Sequence, residues 1–361
     1  MVKSTQPFVS DLKPKHQAVL FPSLAFFDTK RNCCRALVHG RVFIEGKVPL
    51  RTKLLLKGLK RAMQVTPEQV SSEPFRGRIG GFLAAPGKRR KIVLQVGDKN
   101  YRLLRRTRRN GAFFGTLRVP EAMSREWIES NNACTVNMFL KRTEDAEGKI
   151  AETEGKIYFV PPRGLSVVSD IDDTIKITEA TSKSKMLQNT FLRPFEGIEG
   201  MAELYRDWET QGVAFHYVSS SPWQLYRPLS EFCSKTNFPE GSMHLRYFNV
   251  RDQVFKRFRL LRQNSKVGII AGIMKRLPER KFILVGDSGE KDPEIYRFLA
   301  RRFPNSVAAI LIREVAERPF SVKRLKRLRS LQGQAVPHVQ VFHKPDEVRD
   351  ILAHAHATAG L

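Results

Sequence analysis

The segment from Leu165 to Thr174 reads LSVVSDIDDT. An apolar run, Leu165, Val167 and Val168, ends in three acids, Asp170, Asp172 and Asp173. Carboxylates crowded at the end of a buried strand repel one another and lose hydration, so they persist where a cation compensates them. Taken alone, the segment is equally a strand followed by an acidic turn. Its function depends on the partners that the rest of the chain supplies.

On its C-terminal side, apolar strands alternate with helices. The strand over residues 165–171 is followed by a helix over Ile198–Gln211, with Met201, Leu204 and Trp208 at helical spacing. Strand Val213–Val218 precedes a helix around Gln224–Cys233, and a helix over Val267–Arg276 precedes strand Phe282–Val285. Helix Pro293–Arg302, strand Val307–Ile312, strand Val339–Phe342 and a helix from Pro345 complete the series. This alternation predicts an α/β domain with a parallel sheet and right-handed crossovers. Sites in such folds sit at the carboxyl ends of the strands.

Three strand ends carry chemistry. The first ends in Asp170-Ile171-Asp172-Asp173-Thr174, the second in Ser219-Ser220-Ser221-Pro222-Trp223, and the third in Gly286-Asp287-Ser288-Gly289-Glu290-Lys291-Asp292. Lys266 opens the helix before the third strand. The pattern suits phosphoryl transfer through an aspartyl-phosphate, with Asp170 as nucleophile and Asp172 as general acid and base. Nucleophile and phosphate are both anionic, so a hard cation belongs between them. Mg²⁺ suits a carboxylate of Asp170, the backbone carbonyl of Asp172 and a carboxylate of Asp287, with Asp292 as an alternate or supporting ligand. Ser219 donates to a phosphoryl oxygen and Lys266 neutralises developing charge. Ser220 competes with Ser219 for this role, and Lys256 and Lys275 compete with Lys266. Asp173 reads as a turn or cap residue. Trp223 is read either as a substrate contact or as core, and Tyr226 as core.

On the N-terminal side the character changes at Pro161-Pro162-Arg163-Gly164, which places a domain boundary between 1–161 and 162–361. Short apolar stretches at Ala18–Phe27, Ala36–Ile44, Lys91–Val96, Tyr101–Leu104, Phe113–Val119, Thr135–Leu140 and Lys156–Val160 predict a small β-sandwich or barrel. Within it, residues 50–65 read as a basic amphipathic helix: Leu54, Leu55, Leu59 and Met63 on one face, Arg51, Lys53, Lys57, Lys60 and Arg61 around it. The chain of 361 residues carries a net charge of +27, of which +17 lies in residues 1–160, where 31 Lys/Arg face 14 Asp/Glu. Such a surface attracts polyanions: an anionic membrane, nucleic acid or an acidic protein. The basic runs KRRK (Lys88–Lys91) and RLLRRTRR (Arg102–Arg109) lack the interleaved aromatics of a single-strand stacking platform, which disfavours nucleic acid. Cys33, Cys34, Cys134 and Cys233 form no metal or disulfide pattern, and no leader or membrane-spanning run is visible, so a cytoplasmic protein, peripheral at a membrane, is expected. The sequence carries no signal for oligomeric state.

With these residues in view, DIDDTIKIT, HYVSSSPWQLY and FILVGDSGEKDPEIY resemble the haloacid dehalogenase superfamily. Within it they resemble the phosphatidate phosphatase family first associated with cortical actin patches. The resemblance covers about Pro162–Val315 closely, including PFEGIEGMAELYRDW, and the basic β-rich part more loosely. It implies a haloacid dehalogenase-like Rossmannoid domain and Mg²⁺-dependent hydrolysis of phosphatidate or a related lipid phosphate to diacylglycerol and phosphate. It matches Asp170 to the nucleophile, Asp172 to the acid/base, Ser219 to the phosphate-binding serine, Lys266 to the lysine and Asp287 to the metal ligand. Ser265 stands where the family often has histidine before that lysine. Between Thr174 and Ile198 there is room only for a small cap, which suits a bulky or membrane-embedded substrate. The alternative function is a phosphatase of a soluble ester joined to a nucleic-acid or acidic-protein binding module.

Overall fold

Pro22 interrupts the apolar run from Ala18 to Phe27, because it has no N–H to give a sheet ladder. In the computed structural model this run is two strands, β1 (His16–Leu20) and β2 (Ser23–Asp28), which pair in succession, antiparallel, with β3 (Cys33–Ile44). The Phe21 N–H bridges the break by donating to His39 O at 3.1 Å. The described residues are 9–13, 15–44, 57–58, 60–61, 63, 65–119, 134–144, 150–246, 266–316, 318–333 and 336–359.

The chain divides into two compact units, Met1–Lys53 with Leu83–Pro161, and Leu54–Phe82 with Pro162–Leu361. The chain thus leaves the first unit after β3 and returns near Leu83, an excursion that a single boundary near 161 does not contain.

The first unit adds β4 (Ala85–Pro86), β5 (Val93–Val96), β6 (Lys99–Arg102), β7 (Ala112–Arg118), β8 (Cys134–Glu144) and β9 (Ile150–Phe159). They form one nine-stranded sheet in the order β1-β3-β2-β9-β8-β5-β6, with β4 and β7 on β3. Only the β2–β9 pair is parallel among these. Gly97 closes the β5–β6 hairpin with φ +55, the left-handed conformation that a two-residue turn needs at its first position. Ala36, Val38, Leu94, Phe113, Met138 and Phe159 are buried in the core of this unit. Around it Lys88, Arg89, Arg102, Arg105, Arg106, Arg108 and Arg109 are exposed.

The second unit contains six parallel strands: β10 (Leu165–Ser169), β11 (Ala214–Pro222), β12 (Gly241–Arg246), β13 (Lys281–Asp287), β14 (Val307–Arg313) and β15 (His338–Phe342). Their order is β12-β11-β10-β13-β14-β15. The chain starts in the middle, builds outward to one edge and then returns to build the other side. The reversal falls between β10 and β13, where doubly wound sheets open a crevice at the carboxyl ends. Met201, Leu204 and Trp208 are buried on the helix Met201–Thr210, as their spacing predicts, together with Tyr205. Edge strand β12 and the helices Lys183–Phe191, Glu73–Leu83 and Val322–Arg329 are additions to the expected series.

Of the expected amphipathic helix, Lys57, Gly58, Lys60, Arg61 and Met63 are helical, with Met63 buried and Lys57 and Arg61 exposed. Arg51, Lys53, Leu54, Leu55 and Leu59 lie outside the described residues. The following helix Glu73–Leu83 is tied into the second unit by Arg78. Its guanidinium donates to Thr190 O at 2.9 Å and Arg193 O at 2.6 Å, and lies 3.7 Å from the Phe195 ring centroid. Among the described residues no helix is long and apolar enough to cross a membrane.

Candidate active site

Strand β10 is buried throughout, so the acids that follow it leave the sheet in a dry environment. The Asp170 N–H still donates to Val285 O at 2.9 Å, which fixes the first acid against β13. Asp287 is the last residue of β13, and Asp292 opens the helix Asp292–Arg302. One carboxylate oxygen from each of Asp170, Asp287 and Asp292 lies within 4.8 Å of the others, and all three residues are buried. Gly286 makes this possible. A Cβ there would lie 2.3 Å from Asp292 Oδ2 and 2.7 Å from Asp292 Cβ.

Lys266, the first residue of the helix Lys266–Arg276, enters the same cluster. Its Nζ lies 2.9 Å from Asp170 Oδ1 and also bonds Asp292 Oδ1. One ammonium does not balance three carboxylates. Burial raises the Asp170 carboxyl well above the usual range; Lys266 opposes the rise, and Asp292, Glu290 and Asp287 reinforce it. Asp287 is also raised, first by burial and then by Asp292 and Glu290. The Lys266 ammonium is held charged, because Asp170 and Asp292 outweigh the burial that would lower it. Asp170 Oδ2 and Asp287 Oδ2 are buried with no hydrogen-bond partner. Two unpartnered carboxyl oxygens beside a third carboxyl group form a hard, all-oxygen donor set that fits a divalent cation.

Asp172 has a different environment. Its Oδ1 accepts from Thr178 Oγ1 at 2.8 Å and lies 3.1 Å from Lys176 Nζ. Its Oδ2 accepts from Ser221 Oγ at 2.6 Å and from Ser219 Oγ at 3.1 Å. Burial alone would raise this carboxyl, but Lys176, Ser221 and Thr178 hold it down at about 2. Neighbouring carboxyls two residues apart are thus pushed in opposite directions by their surroundings. Asp173 takes φ +53 and accepts from the N–H groups of Thr178, Glu179 and Ala180 at 2.8, 2.8 and 2.7 Å. It shapes the turn.

Asp170, Asp287, Asp292 and Lys266 therefore meet directly, and Ser219 reaches Asp172. Ser220 is exposed. Trp223 is 4% exposed within the turn Trp223–Leu225. Lys275 is exposed in the last turn of the helix that Lys266 opens, and Lys256 lies outside the described residues. Sequence reasoning missed Lys176, Thr178 and Ser221 as the residues that hold Asp172. The one available signal was Lys176 four residues after Asp172. It also missed the arginines that grip the acidic loop: Arg318 donates to Gly289 O at 2.5 Å, and Arg324 to Ser288 O at 2.5 Å and Glu290 O at 2.7 Å.

Residues 165–314 match the family model described as the catalytic domain of phosphatidate phosphatase APP1. Over 159 residues the chain is 39% identical to phosphatidate phosphatase APP1 of Saccharomyces cerevisiae, covering 43% of this chain and 27% of that protein. It is 33% identical over 194 residues to an uncharacterized protein of Schizosaccharomyces pombe, covering 52% of this chain and 31% of that one. The chain thus spans less than a third of the length of either curated relative. Among solved structures, an uncharacterized protein from Listeria monocytogenes serotype 4b aligns at 14% identity and a TM-score of 0.38, covering 54% of this chain and 99% of that chain. The matched α/β segment is thus similar to the catalytic domain of a phosphatidate phosphatase, a phosphate-ester hydrolase, over residues 165–314.

Proposed function

We propose that the chain is a Mg²⁺-dependent phosphatase of phosphatidate or a related lipid phosphate, acting through an aspartyl-phosphate on Asp170 in a haloacid dehalogenase-like domain. The observation that carries this reading is the meeting of Asp170, Asp287, Asp292 and Lys266 at the reversal point of the sheet.

Asp170, Asp287 and Asp292 would hold the cation, which supplies charge neutralisation between the nucleophile and the phosphate. The remaining chemistry belongs to the chain. A carboxylate oxygen of Asp170 forms a bond to phosphorus as the ester P–O bond breaks, and Asp172 gives the leaving alkoxide its proton. Asp172 then takes a proton from a water whose oxygen attacks phosphorus, and the Asp170–phosphorus bond breaks to release phosphate. In the structure Asp172 is held ionised by Ser219, Ser221, Thr178 and Lys176. Substrate phosphate would draw the two serine hydroxyls onto its own oxygens, freeing Asp172 to take up from solvent the proton that it gives to the leaving alkoxide. The short segment after Thr174 is read as a small cap around an open site.

The basic first unit is read as the region that meets an anionic surface. Leu104 is fully exposed within a run where Arg102, Arg105, Arg106, Arg108 and Arg109 are exposed too. An apolar tip in a basic loop is the composition of an interfacial contact. The experiment is phosphate release from phosphatidate in mixed micelles, compared with water-soluble monoesters at equal phosphate concentration. A preference for phosphatidate is expected. Turnover of soluble esters alone would leave a phosphatase of another substrate.

A further inference from the structure

The helix Val322–Arg329 packs on the acidic loop of the site through Arg324 and plays no part in the chemistry above. Of the twelve residues from Arg318 to Arg329, six are Lys or Arg and none is Asp or Glu. Ser321 caps the helix by accepting from the Arg324 N–H. Its inner side is anchored: Leu328 is 1% exposed, and Arg324 bonds the carbonyls of Ser288 and Glu290 and the carboxylate of Glu294. Its outer side is a stripe at i, i+4 and i+7, namely Val322, Lys326 and Arg329, all exposed. Val322 is 85% exposed, one of few large apolar side chains so placed. Neither Lys326 nor Arg329 has an ion-pair partner among the described residues. An anchored helix that presents an apolar residue beside basic ones matches the composition of an interfacial helix on anionic lipid.

We propose that this outer stripe is a docking surface for an anionic lipid bilayer, placed on the catalytic unit at the rim of the site. The inference rests on the lipid-phosphate reading and adds where the bilayer is met. The residues connect the two directly: Arg324 holds the loop of Asp287 on one side of the helix, while Lys326 and Arg329 face outward on the other. Single-stranded nucleic acid fits less well, because Phe320, the aromatic ring just before the helix, is covered by the Arg324 guanidinium at 5.2 Å.

The test is sedimentation of the full chain with vesicles of phosphatidylcholine containing phosphatidylserine, for the wild type and for Lys326→Gln with Arg329→Gln. Both side chains are exposed and outside the site, so the thermal-unfolding midpoint and its rise with Mg²⁺ are the control for fold and site. Two basic residues at about 1 kcal/mol each give an expected loss in partitioning of about 30-fold, with the unfolding midpoint unchanged. Val322→Asp is expected to weaken vesicle binding with the same control intact. Unchanged sedimentation in both variants would overturn the proposal. A wild type that binds vesicles through this stripe but releases no phosphate from phosphatidate would overturn the substrate reading instead.

Discussion

Lys176 Nζ lies 3.1 Å from Asp172 Oδ1, and the lysine side chain is only 1% exposed. A buried ammonium four residues after a buried carboxylate is a costly pair, retained here beside the proposed nucleophile. The same ammonium sits 4.7 Å from the Phe195 ring centroid, so its position is fixed from two directions. Lys176 acts as a positioning residue, holding the carboxylate that the proposed mechanism uses to move the proton.

Lys176→Met should leave Asp172 buried without its cation. Removal of one partner of a buried pair costs about 3–5 kcal/mol, and that loss is expected in urea unfolding at neutral pH. Adding Asp172→Asn to Lys176→Met should cost less than the sum of the single changes, because the second change removes the uncompensated charge. Additive losses would mean that the two groups do not interact.

The pair also shapes acid stability. Asp172 is depressed in the folded state to about 2. Its contribution is present in full above the ordinary carboxylate range of about 4, and is lost as pH falls through the folded value. Asp172→Asn should therefore flatten the stability decline between about pH 4 and pH 2, read by urea midpoints across that window. An unaltered acid limb would place the titrating group elsewhere.

The carboxyls of the buried acidic cluster have the opposite sign. Asp170 and Asp287 are raised, by burial first, so the folded chain binds more protons there than the unfolded chain. Without a divalent cation, stability should fall as pH rises above about 4 toward neutrality. Mg²⁺ at 100 times its dissociation constant at pH 8 should restore about 2.7 kcal/mol, and the same concentration should restore less at pH 5, where protons compete for the carboxyls. Thermal unfolding with and without chelator checks this. The stabilisation should vanish in Asp287→Asn.

Gly286→Ala tests the close approach that assembles the cluster. The added methyl would fall 2.3 Å from Asp292 Oδ2 and 2.7 Å from its Cβ, inside contact distance, so Asp292 must shift from its place in the cluster. Phosphate release is expected to fall by roughly tenfold or more, since ångström-scale misplacement of a positioned group costs on the order of 100-fold. The Mg²⁺-dependent rise in melting temperature should shrink in parallel. Full activity would show that Asp292 is dispensable.

The strand ends were legible because β10, β11 and β13 are apolar runs that stop at polar, chemically distinctive residues. That contrast places Asp170, Ser219 and Asp287 at one rim without any knowledge of tertiary contacts. Lys176 was not legible, since a lysine in DIDDTIKIT reads as solvated unless its burial against Asp172 and Phe195 is known. The helix Glu73–Leu83 carries Gly77, Gly80 and Gly81, weak helix formers, and its place in the second unit depends on Arg78 reaching carbonyls more than a hundred positions away. Edge strand β12, GSMHLR, has too short and mixed a pattern to stand out. The basic run VKRLKRLR gave no sign of its anchor, because Arg324 is indistinguishable in sequence from its exposed neighbours.

The most direct measurement is phosphate release from phosphatidate in mixed micelles with Mg²⁺, wild type beside Asp170→Asn. Release by the wild type that is abolished by chelation and by Asp170→Asn is the expected result. Undiminished release by Asp170→Asn would contradict a nucleophilic role for the first acid after β10.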